Sequence, residues 1–422
     1  MLILAVLVWP GCQKREPEGV IKTLIEQGRD FNNHLYYWET LDGKTAIYRI
    51  AETTSDINCI VYDLEGVRDV KSSRDAVYIL HDDNTGHLAV SRLEGNRAMV
   101  TEAVLDVELT ASAEKPWAVS AAADRIFVVG ADESDRFHIV EVDFERTEAE
   151  RTFKENEVLV PTVSYEQNEW YVTDEPIGMI DVSDEAEVIA MTMPSGTGSE
   201  PTLLYFLTGP GKDPVLVDEK TVVEFGGFSS DSKTFLATME LSRRVDLYMI
   251  KTDSLESKPI TRVATDFRVE HPAWHPNGKY VIYSTDYTSE FRSESTPLSG
   301  DQLFLYSLVS DNDRRLTAFQ GQSLWVDFSP NGDFLMYASS PGVAVRSGRG
   351  IPDKPEQQSE QQKKQDSELE TWRLSYVPWN EDDFVTGNIR VLNSDEVDFI
   401  VSWTVGGNLD IEFTWGPEMS GL

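Results

Sequence analysis

The sequence predicts an all-β protein built as a β-propeller of seven four-stranded blades. From Phe31 almost to the end of the chain, apolar and polar residues alternate with the period of two that β-strands require. A turn motif recurs along the chain, and a strand signature that often ends on an acidic residue recurs with it. A period of roughly 40 to 60 residues with about four strands per unit indicates propeller blades, which bury their faces only by stacking around an axis.

The turn motif is clearest in the second half of the chain. FSPNGDFLMYAS begins at Phe328, WHPNGKYVIYST at Trp274 and FSSDSKTFLATM at Phe228, at spacings of 54 and 46 residues. Each copy has an aromatic residue, a polar turn and an alternating strand. In two copies proline presets φ, and an Asn-Gly pair accepts the positive φ of a tight hairpin. Looser copies begin at Met179, Trp117, Asp69 and Asp30.

The number of turns predicts the number of blades. Seven turns lie near residues 33, 75, 124, 184, 231, 277 and 331. Strands of the second signature follow six of them: INCIVYDLEG, GHLAVSRLEG, RFHIVEVDFE, TLLYFLTG, VDLYMIKTD and DQLFLYSLVS. A total of six or eight blades is also possible, because EWYVTDE from Glu169 is an unassigned strand and 386–415 supplies further strands. We expect VDFIVSWTV and LDIEFTW to complete the first blade, which lacks an inner strand, and so to remove free sheet edges.

The repeat as a whole resembles that of the TolB-like β-propeller family. The resemblance lies in the aromatic-Ser-Pro-Asp/Asn-Gly turn, the apolar strand after it and the later Leu-Tyr-apolar-apolar-Asp, and it covers about 31–395. It implies the fold and leaves the function open, because such blades occur in periplasmic scaffolds, in prolyl oligopeptidase-like enzymes and in some polysaccharide lyases. TolB carries a further domain before its propeller, and we expect that domain to be missing here.

The N-terminus resembles that of a bacterial lipoprotein. MLILAVLVWPG is too short to span a bilayer at roughly 20 residues per helix, but it suits the apolar part of a secretory signal. With Cys12 it resembles a lipobox, which implies a signal peptide over 1–11 and an acylated Cys12. Residues 12–30 are expected to form a tether, in which the helical spacing of Val20, Ile21, Leu24 and Ile25 predicts one short helix. Gln13 in place of Asp implies the outer membrane, facing the periplasm or the surface. The alternative is an apolar N-terminus buried in the fold.

Charge and composition restrict the partners. The chain has 73 acidic and 37 basic residues, a net charge of -36, so its average surface repels nucleic acid and anionic head groups. The propeller is expected over 31–415, with a low-complexity insertion at about 346–370 that is rich in Gln, Lys and Glu. We expect this insertion to be a solvated protrusion; the alternative is an arm that binds a partner.

Catalytic and metal-binding motifs are sparse. No Gly-x-Ser-x-Gly is present, and no pair among the six histidines has HExxH spacing. His271 and His275, in HPAWHPN, are the best metal candidates, but they need distant histidines in the central channel, as in the propeller lyases that the fold resembles. Otherwise they line the turn and the channel. HDDNTGH from His81 and SDNDRR from Ser310 suit Ca²⁺ through their oxygens, although ordinary hairpin tips have the same composition.

These observations predict a monomeric, lipid-anchored propeller of the cell envelope that binds without catalysis. Its partner is expected to be an envelope protein, a peptide or a glycan, held by loops around one end of the channel and by strand edges. No cofactor is expected beyond the Ca²⁺ considered above. The alternative is an enzyme such as a polysaccharide lyase with a metal site in the channel, which would bring three or more histidine or carboxylate side chains together there.

Overall fold

The computed structural model describes residues 34–41, 44–50, 57–72, 77–83, 85–94, 99–105, 109, 117–120, 125–145, 164–195, 202–263, 267–286, 301–317, 321–328, 332, 334–341, 371–379, 399–404 and 410–416. In this part of the chain, 28 strands form seven four-stranded antiparallel sheets, so the predicted propeller with seven blades is confirmed. No helix among these residues is long and apolar enough to cross a membrane.

The strands follow one another blade by blade. Those of blades 1 to 3 are β1 (His34–Leu41), β2 (Lys44–Ile50), β3 (Ile57–Glu65), β4 (Val67–Ser72), β5 (Val77–Asp82), β6 (Leu88–Glu94), β7 (Met99–Val104), β8 (Trp117–Val119), β9 (Arg125–Ala131), β10 (Phe137–Glu145) and β11 (Ser164–Thr173). Those of blades 4 and 5 are β12 (Ile180–Val182), β13 (Ile189–Pro194), β14 (Thr202–Leu207), β15 (Val215–Asp218), β16 (Thr221–Phe228), β17 (Thr234–Leu241), β18 (Arg244–Lys251) and β19 (Ser257–Pro259).

Those of blades 6 and 7 are β20 (Val269–Trp274), β21 (Tyr280–Thr285), β22 (Gln302–Ser307), β23 (Asn312–Arg315), β24 (Gly321–Phe328), β25 (Phe334–Pro341), β26 (Thr371–Pro378) and β27 (Phe399–Thr404). β28 (Asp410–Gly416) is the fourth strand of blade 1, where it pairs with β1. The unassigned EWYVTDE is part of β11.

The inner strands contact one another from blade to blade. Contacts run from β28 to β4, β8, β12, β16, β20 and β24 in that order, which makes these strands the inner ring around the axis. LDIEFTW therefore completes blade 1 from the inside, as expected. VDFIVSWTV does not: its strand β27 is the outermost strand of blade 7. INCIVYDLEG is likewise the outermost strand of blade 1, whereas the other copies of its signature are third strands.

Buried apolar side chains lie in layers between neighbouring blades. Tyr78 and Leu80 of blade 2 share a cluster with Trp117 and Ile126 of blade 3. The same arrangement joins blades 3 and 4, 4 and 5, 5 and 6, and 6 and 7. Each large side chain buried in this way contributes about 1.5–3 kcal/mol, so a blade depends on its two neighbours for its stability.

The repeated motif forms the turn between the inner strand and the second strand. The residue after the aromatic position donates its amide to the carbonyl five residues later, as in Ser229 to Thr234 at 2.7 Å and His275 to Tyr280 at 2.9 Å. The residue three positions after it has positive φ in every described copy: Ala186, Ser232, Gly278 and Gly332. The predicted use of glycine at this position is confirmed for Gly278 and Gly332, which have no Cβ to strain the left-handed backbone.

Candidate functional site

A cavity of about 500 Å³ lies on the propeller axis. The inner strands of blades 2, 4, 5, 6 and 7 line it, together with Met336 from the second strand of blade 7. Its charged or titratable lining residues are Lys71, Asp181, Glu224, His271 and Asp327. The remaining wall is largely apolar and includes Phe228 and Trp274. A cavity of this size and mixed character suits a small ligand or a few residues of a partner.

Bulges shape the inner strands around this cavity. The register shifts between Phe225 and Gly227 in β16, between Glu270 and Ala273 in β20 and between Leu324 and Asp327 in β24. A bulge bends a strand and re-aims its side chains. In β20 the bulge contains His271 in a left-handed conformation, with φ 52°.

His271 of blade 6 and Glu224 of blade 5 form a pair across the blade boundary. Glu224 Oε2 accepts the backbone amide of His271 at 2.7 Å, and Oε1 lies 3.1 Å from its Nδ1. The side chains are 22% and 23% exposed, so the pair borders the cavity without being sealed from it. Glu224 therefore sets both the backbone and the ring of His271.

Asp181 and Lys71 line the cavity from blades 4 and 2. Burial raises the pKa of Asp181, and the charge of Lys71 acts in the other direction. A Cβ on Gly227 would lie 3.2 Å from Asp181 Oδ2, so the missing side chain lets this carboxylate approach β16 closely. Lys71 donates from Nζ to the carbonyl of Trp117 at 2.8 Å and lies 3.9 Å from Asp69. The ammonium group of Lys71 thus also links blade 2 to blade 3.

Asp327 has a different environment. It is exposed to the channel but surrounded by protein, and this partial desolvation raises its pKa to about 6. Its Oδ1 accepts the backbone amide of Phe328 at 2.8 Å, and this is the bond that opposes the shift. Among the described residues, no cation forms an ion pair with Asp327.

His275 lies apart from the channel, in the layer between blades 6 and 7. Its Nε2 lies 3.2 Å from the carbonyl oxygen of Gly332, and its Nδ1 accepts the amide of Asn277 at 3.1 Å. The rings of Phe328 and Trp379 pack on it, with centroids 4.6 and 5.2 Å away. The two histidines proposed as metal candidates therefore belong to different environments. Within the described residues, no three His, Cys, Asp or Glu side chains converge as metal ligands.

The other predicted sites fall on hairpins or outside the described part of the chain. Asp83 Oδ1 accepts the Thr85 hydroxyl at 2.6 Å and the amides of His87 and Thr85 at 2.9 and 2.7 Å, and these bonds lower the pKa of Asp83 to about 2. In the second candidate for Ca²⁺, Ser310 Oγ donates to Asn312 at 2.7 Å. In both loops these hydrogen bonds join residues of the same turn, as in ordinary hairpin tips. Cys12 and the insertion at 346–370 lie outside the described residues.

Sequence reasoning did not single out Lys71, Asp181, Glu224 or Asp327. A usable signal was present at two of these positions. Asp181 and Asp327 each stand immediately before the last residue of an inner strand, Val182 and Phe328, where the turn motif begins its polar turn. A charged residue at that point of an innermost strand faces the axis, and the strand order needed to see this came only with the structure.

Comparisons with known proteins find similarity in structure at low sequence identity. The sequence matches no protein-family model, and no curated protein sequence is significantly similar to it. TolB from Acinetobacter baumannii is similar in structure at 12% identity, with 90% of this chain and 81% of that chain covered and a TM-score of 0.41. An oligogalacturonate lyase in complex with manganese has 12% identity, coverage of 70% and 79%, and a TM-score of 0.48. Dipeptidyl peptidase 4 from Porphyromonas gingivalis has 13% identity, coverage of 86% and 51%, and a TM-score of 0.46.

Proposed function

We propose that this chain is a non-catalytic binding propeller of the bacterial cell envelope, anchored through an acylated Cys12. Its partner is an envelope protein, and a short segment of that protein enters the axial channel. The observation that carries the proposal is the cavity of about 500 Å³ with charged and apolar lining on the axis. Rigid blades with a recess at their common axis present a preformed site, so binding requires little ordering of the propeller.

The contacts of His271 and His275, the candidate metal ligands, favour a binding protein over the alternative of a metal-dependent lyase. The ring of His275 is packed between blades, with polar partners at both nitrogens. His271 is on the cavity, but Glu224 engages its backbone and its Nδ1. These contacts explain both histidines as parts of the scaffold and of the wall of the pocket.

Blocking the channel tests the proposal. Asp327→Trp places a large side chain in the cavity, and Val309→Trp places the same side chain on the outer part of blade 6, where Val309 is 74% exposed. Each protein is crosslinked in envelope fractions and its crosslinked partners are quantified by mass spectrometry. We expect the partner to be lost with Asp327→Trp and kept with Val309→Trp, while both variants stay folded and unfold cooperatively on heating. Equal capture by the two variants contradicts docking at the channel.

The anchor has its own test. Mass spectrometry of protein from the membrane fraction is expected to show an acylated Cys12 as the first residue, and Cys12→Ser is expected to release the protein from membranes. Protein that retains Met1 with an unmodified Cys12 contradicts the anchor. That result leaves the binding site untouched.

A further inference from the structure

We infer that the segment entering the channel carries a lysine or arginine side chain, and that Asp327 and Asp181 bind its charge. This inference rests on the proposed function and names the chemistry of the ligand. The two carboxylates have unused acceptor capacity, an apolar wall lies beside them, and carboxylates outnumber cations in the lining of the cavity.

Asp327 provides the first acceptor. An ionised carboxylate accepts about four hydrogen bonds, and the described contacts of Asp327 use one, from the amide of Phe328. Its side chain reaches channel water, so a ligand approaches it without any rearrangement of the blades. An incoming ammonium or guanidinium group replaces that water with charge-assisted hydrogen bonds, the strongest class available to a carboxylate.

Asp181 provides the second acceptor, from blade 4. It lines the same cavity and is largely buried against β16, with Oδ2 beside Gly227. The backbone amides of Val182 and Phe228 already donate to it, which leaves about two of the roughly four acceptor positions of a carboxylate for a ligand. The charge of Lys71 lowers the pKa of Asp181, but the Lys71 ammonium also donates to the carbonyl of Trp117. A second cation in the cavity would therefore stabilise the ionised form of Asp181, which burial disfavours.

The wall between these carboxylates suits the stem of a long basic side chain. Phe228 and Trp274 line the cavity beside the bulges of blades 5 and 6. Lysine and arginine bury their methylene stems against such surfaces, and their charges are attracted to the faces of aromatic rings.

The charge balance of the cavity opposes an anion. Three carboxylates, on Asp181, Glu224 and Asp327, line it together with one lysine and His271. The net charge of -36 on the chain adds a long-range field of the same sign, which attracts cations to the channel mouth and repels anions. An acidic peptide or an acidic glycan is thus disfavoured as the occupant.

The experiment uses the full chain and defined probes. Nα-acetyl-lysine amide is titrated by ligand-observed NMR, and its Nε-acetylated form, which has a similar stem without the charge, is the matched control. We expect about tenfold weaker binding of the neutral probe, and about tenfold weaker binding of the charged probe to Asp327→Asn and to Asp181→Asn. Asp253→Asn, on an exposed hairpin, is expected to change nothing.

Three results overturn the inference: no binding of the charged probe, equal binding of the two probes, or unchanged binding to both channel variants. n-Butylammonium, a free amine, serves as a further probe. If it binds more tightly than Nα-acetyl-lysine amide does, the ligand is a free amine and not a peptide segment. A failure of this inference can be distinguished from a failure of the proposed function. If Asp327→Trp abolishes partner capture while Asp327→Asn and Asp181→Asn preserve it, the channel is the binding site and its ligand is not a cation.

Discussion

Glu224 in blade 5 holds His271 in blade 6 at two points, by the backbone amide at 2.7 Å and at Nδ1 at 3.1 Å. His271 has φ 52°, a conformation that costs a non-glycine residue roughly 1 kcal/mol or more. The two contacts offset that cost and fix the bulge in β20. One carboxylate thereby joins neighbouring inner strands and shapes the wall of the cavity.

Removing this carboxylate should destabilise the protein. Glu224→Ala leaves the His271 amide without its acceptor, and we expect the free energy of unfolding to fall by about 1–3 kcal/mol in urea denaturation. Glu224→Gln keeps an acceptor oxygen and should lose less than half as much. Equal losses in the two variants would mean that charge, and not the hydrogen bond to the amide, is what matters.

His275 and Gly332 should be coupled. A Cβ on Gly332 would lie 2.6 Å from His275 Cε1, and Gly332 has φ 76°, so Gly332→Ala both strains the backbone and collides with a packed ring. We expect it to cost about 2–4 kcal/mol, and His275→Ser to cost about 2–3 kcal/mol through the space left between the blades.

The double variant separates the two effects of Gly332→Ala. Serine occupies the His275 position in blades 4 and 5, as Ser183 and Ser229, so His275→Ser preserves the turn and removes the collision. The free energy of unfolding lost in the double variant should therefore be smaller than the sum of the losses in the two single variants, by about 1 kcal/mol or more. Additive losses would show that the ring can move aside, contrary to its aromatic packing.

Asp327 should make stability depend on pH. Its pKa in the folded protein, about 6, lies above the ordinary value of 3.8, so the folded state binds the proton more tightly than the unfolded chain does. The stabilisation from the protonated carboxyl is complete below about pH 4 and is lost as the pH rises through 6. Above that range the ionised group disfavours folding.

Asp327→Asn should accordingly be more stable than the parent at about pH 7.5 and equal to it near pH 4. Because channel water reaches the side chain and screens it, we expect a gain on the order of 1 kcal/mol, below the full value of the shift. Urea denaturation at the two pH values, with Asp253→Asn as control, measures the gain. A difference that does not change with pH would exclude titration of Asp327 as the cause. The same variant is expected to lose affinity for a cation, so stability and binding oppose each other at this residue.

Because β28 closes blade 1, we expect folding of the whole protein to depend on this strand. A chain ending at Leu409 lacks β28 and leaves the inner edge of β1 unpaired, so we expect a partly unfolded, aggregation-prone protein by size-exclusion chromatography and circular dichroism. A chain ending at Gly416 keeps β28 and should behave as the full chain does. A synthetic peptide of residues 409–416 should restore the shorter chain, and cooperative melting of that chain without the peptide would contradict the role of β28.

The fold was predictable where the sequence pattern is local. The number of blades follows from the spacing of the turn motifs, such as the Asn-Gly turns at Gly278 and Gly332. Each turn depends on a few consecutive residues and can therefore be recognised in the sequence. Blade 1 was assigned partly wrongly for the opposite reason. Its inner strand comes from residues 410–416, and nothing within a local window tells β28 from β27, so the sequence alone assigns both to that blade.

The site was less predictable, because bulges decide which side chains face the axis. His271 and His275 are four residues apart, and strict alternation puts them on one face of a strand. The bulge between Glu270 and Ala273 places one on the channel and leaves the other between blades. Asp181 and Asp327 are 146 residues apart, and only the ring of inner strands brings them to one cavity.

The pairing of β28 with β1 also sets the order in which the molecule can be completed. Ribosomes make proteins from the N-terminus at roughly 5–20 residues per second, so β1 emerges long before the strand that must pair with it. Blades 2 to 7 can stack as they appear, but the ring stays open until residues 410–416 are free to enter it. A nascent chain therefore carries the unpaired edge of β1 until residues 410–416 have been made, and the ring closes when the two described strands that are most distant in sequence pair with each other.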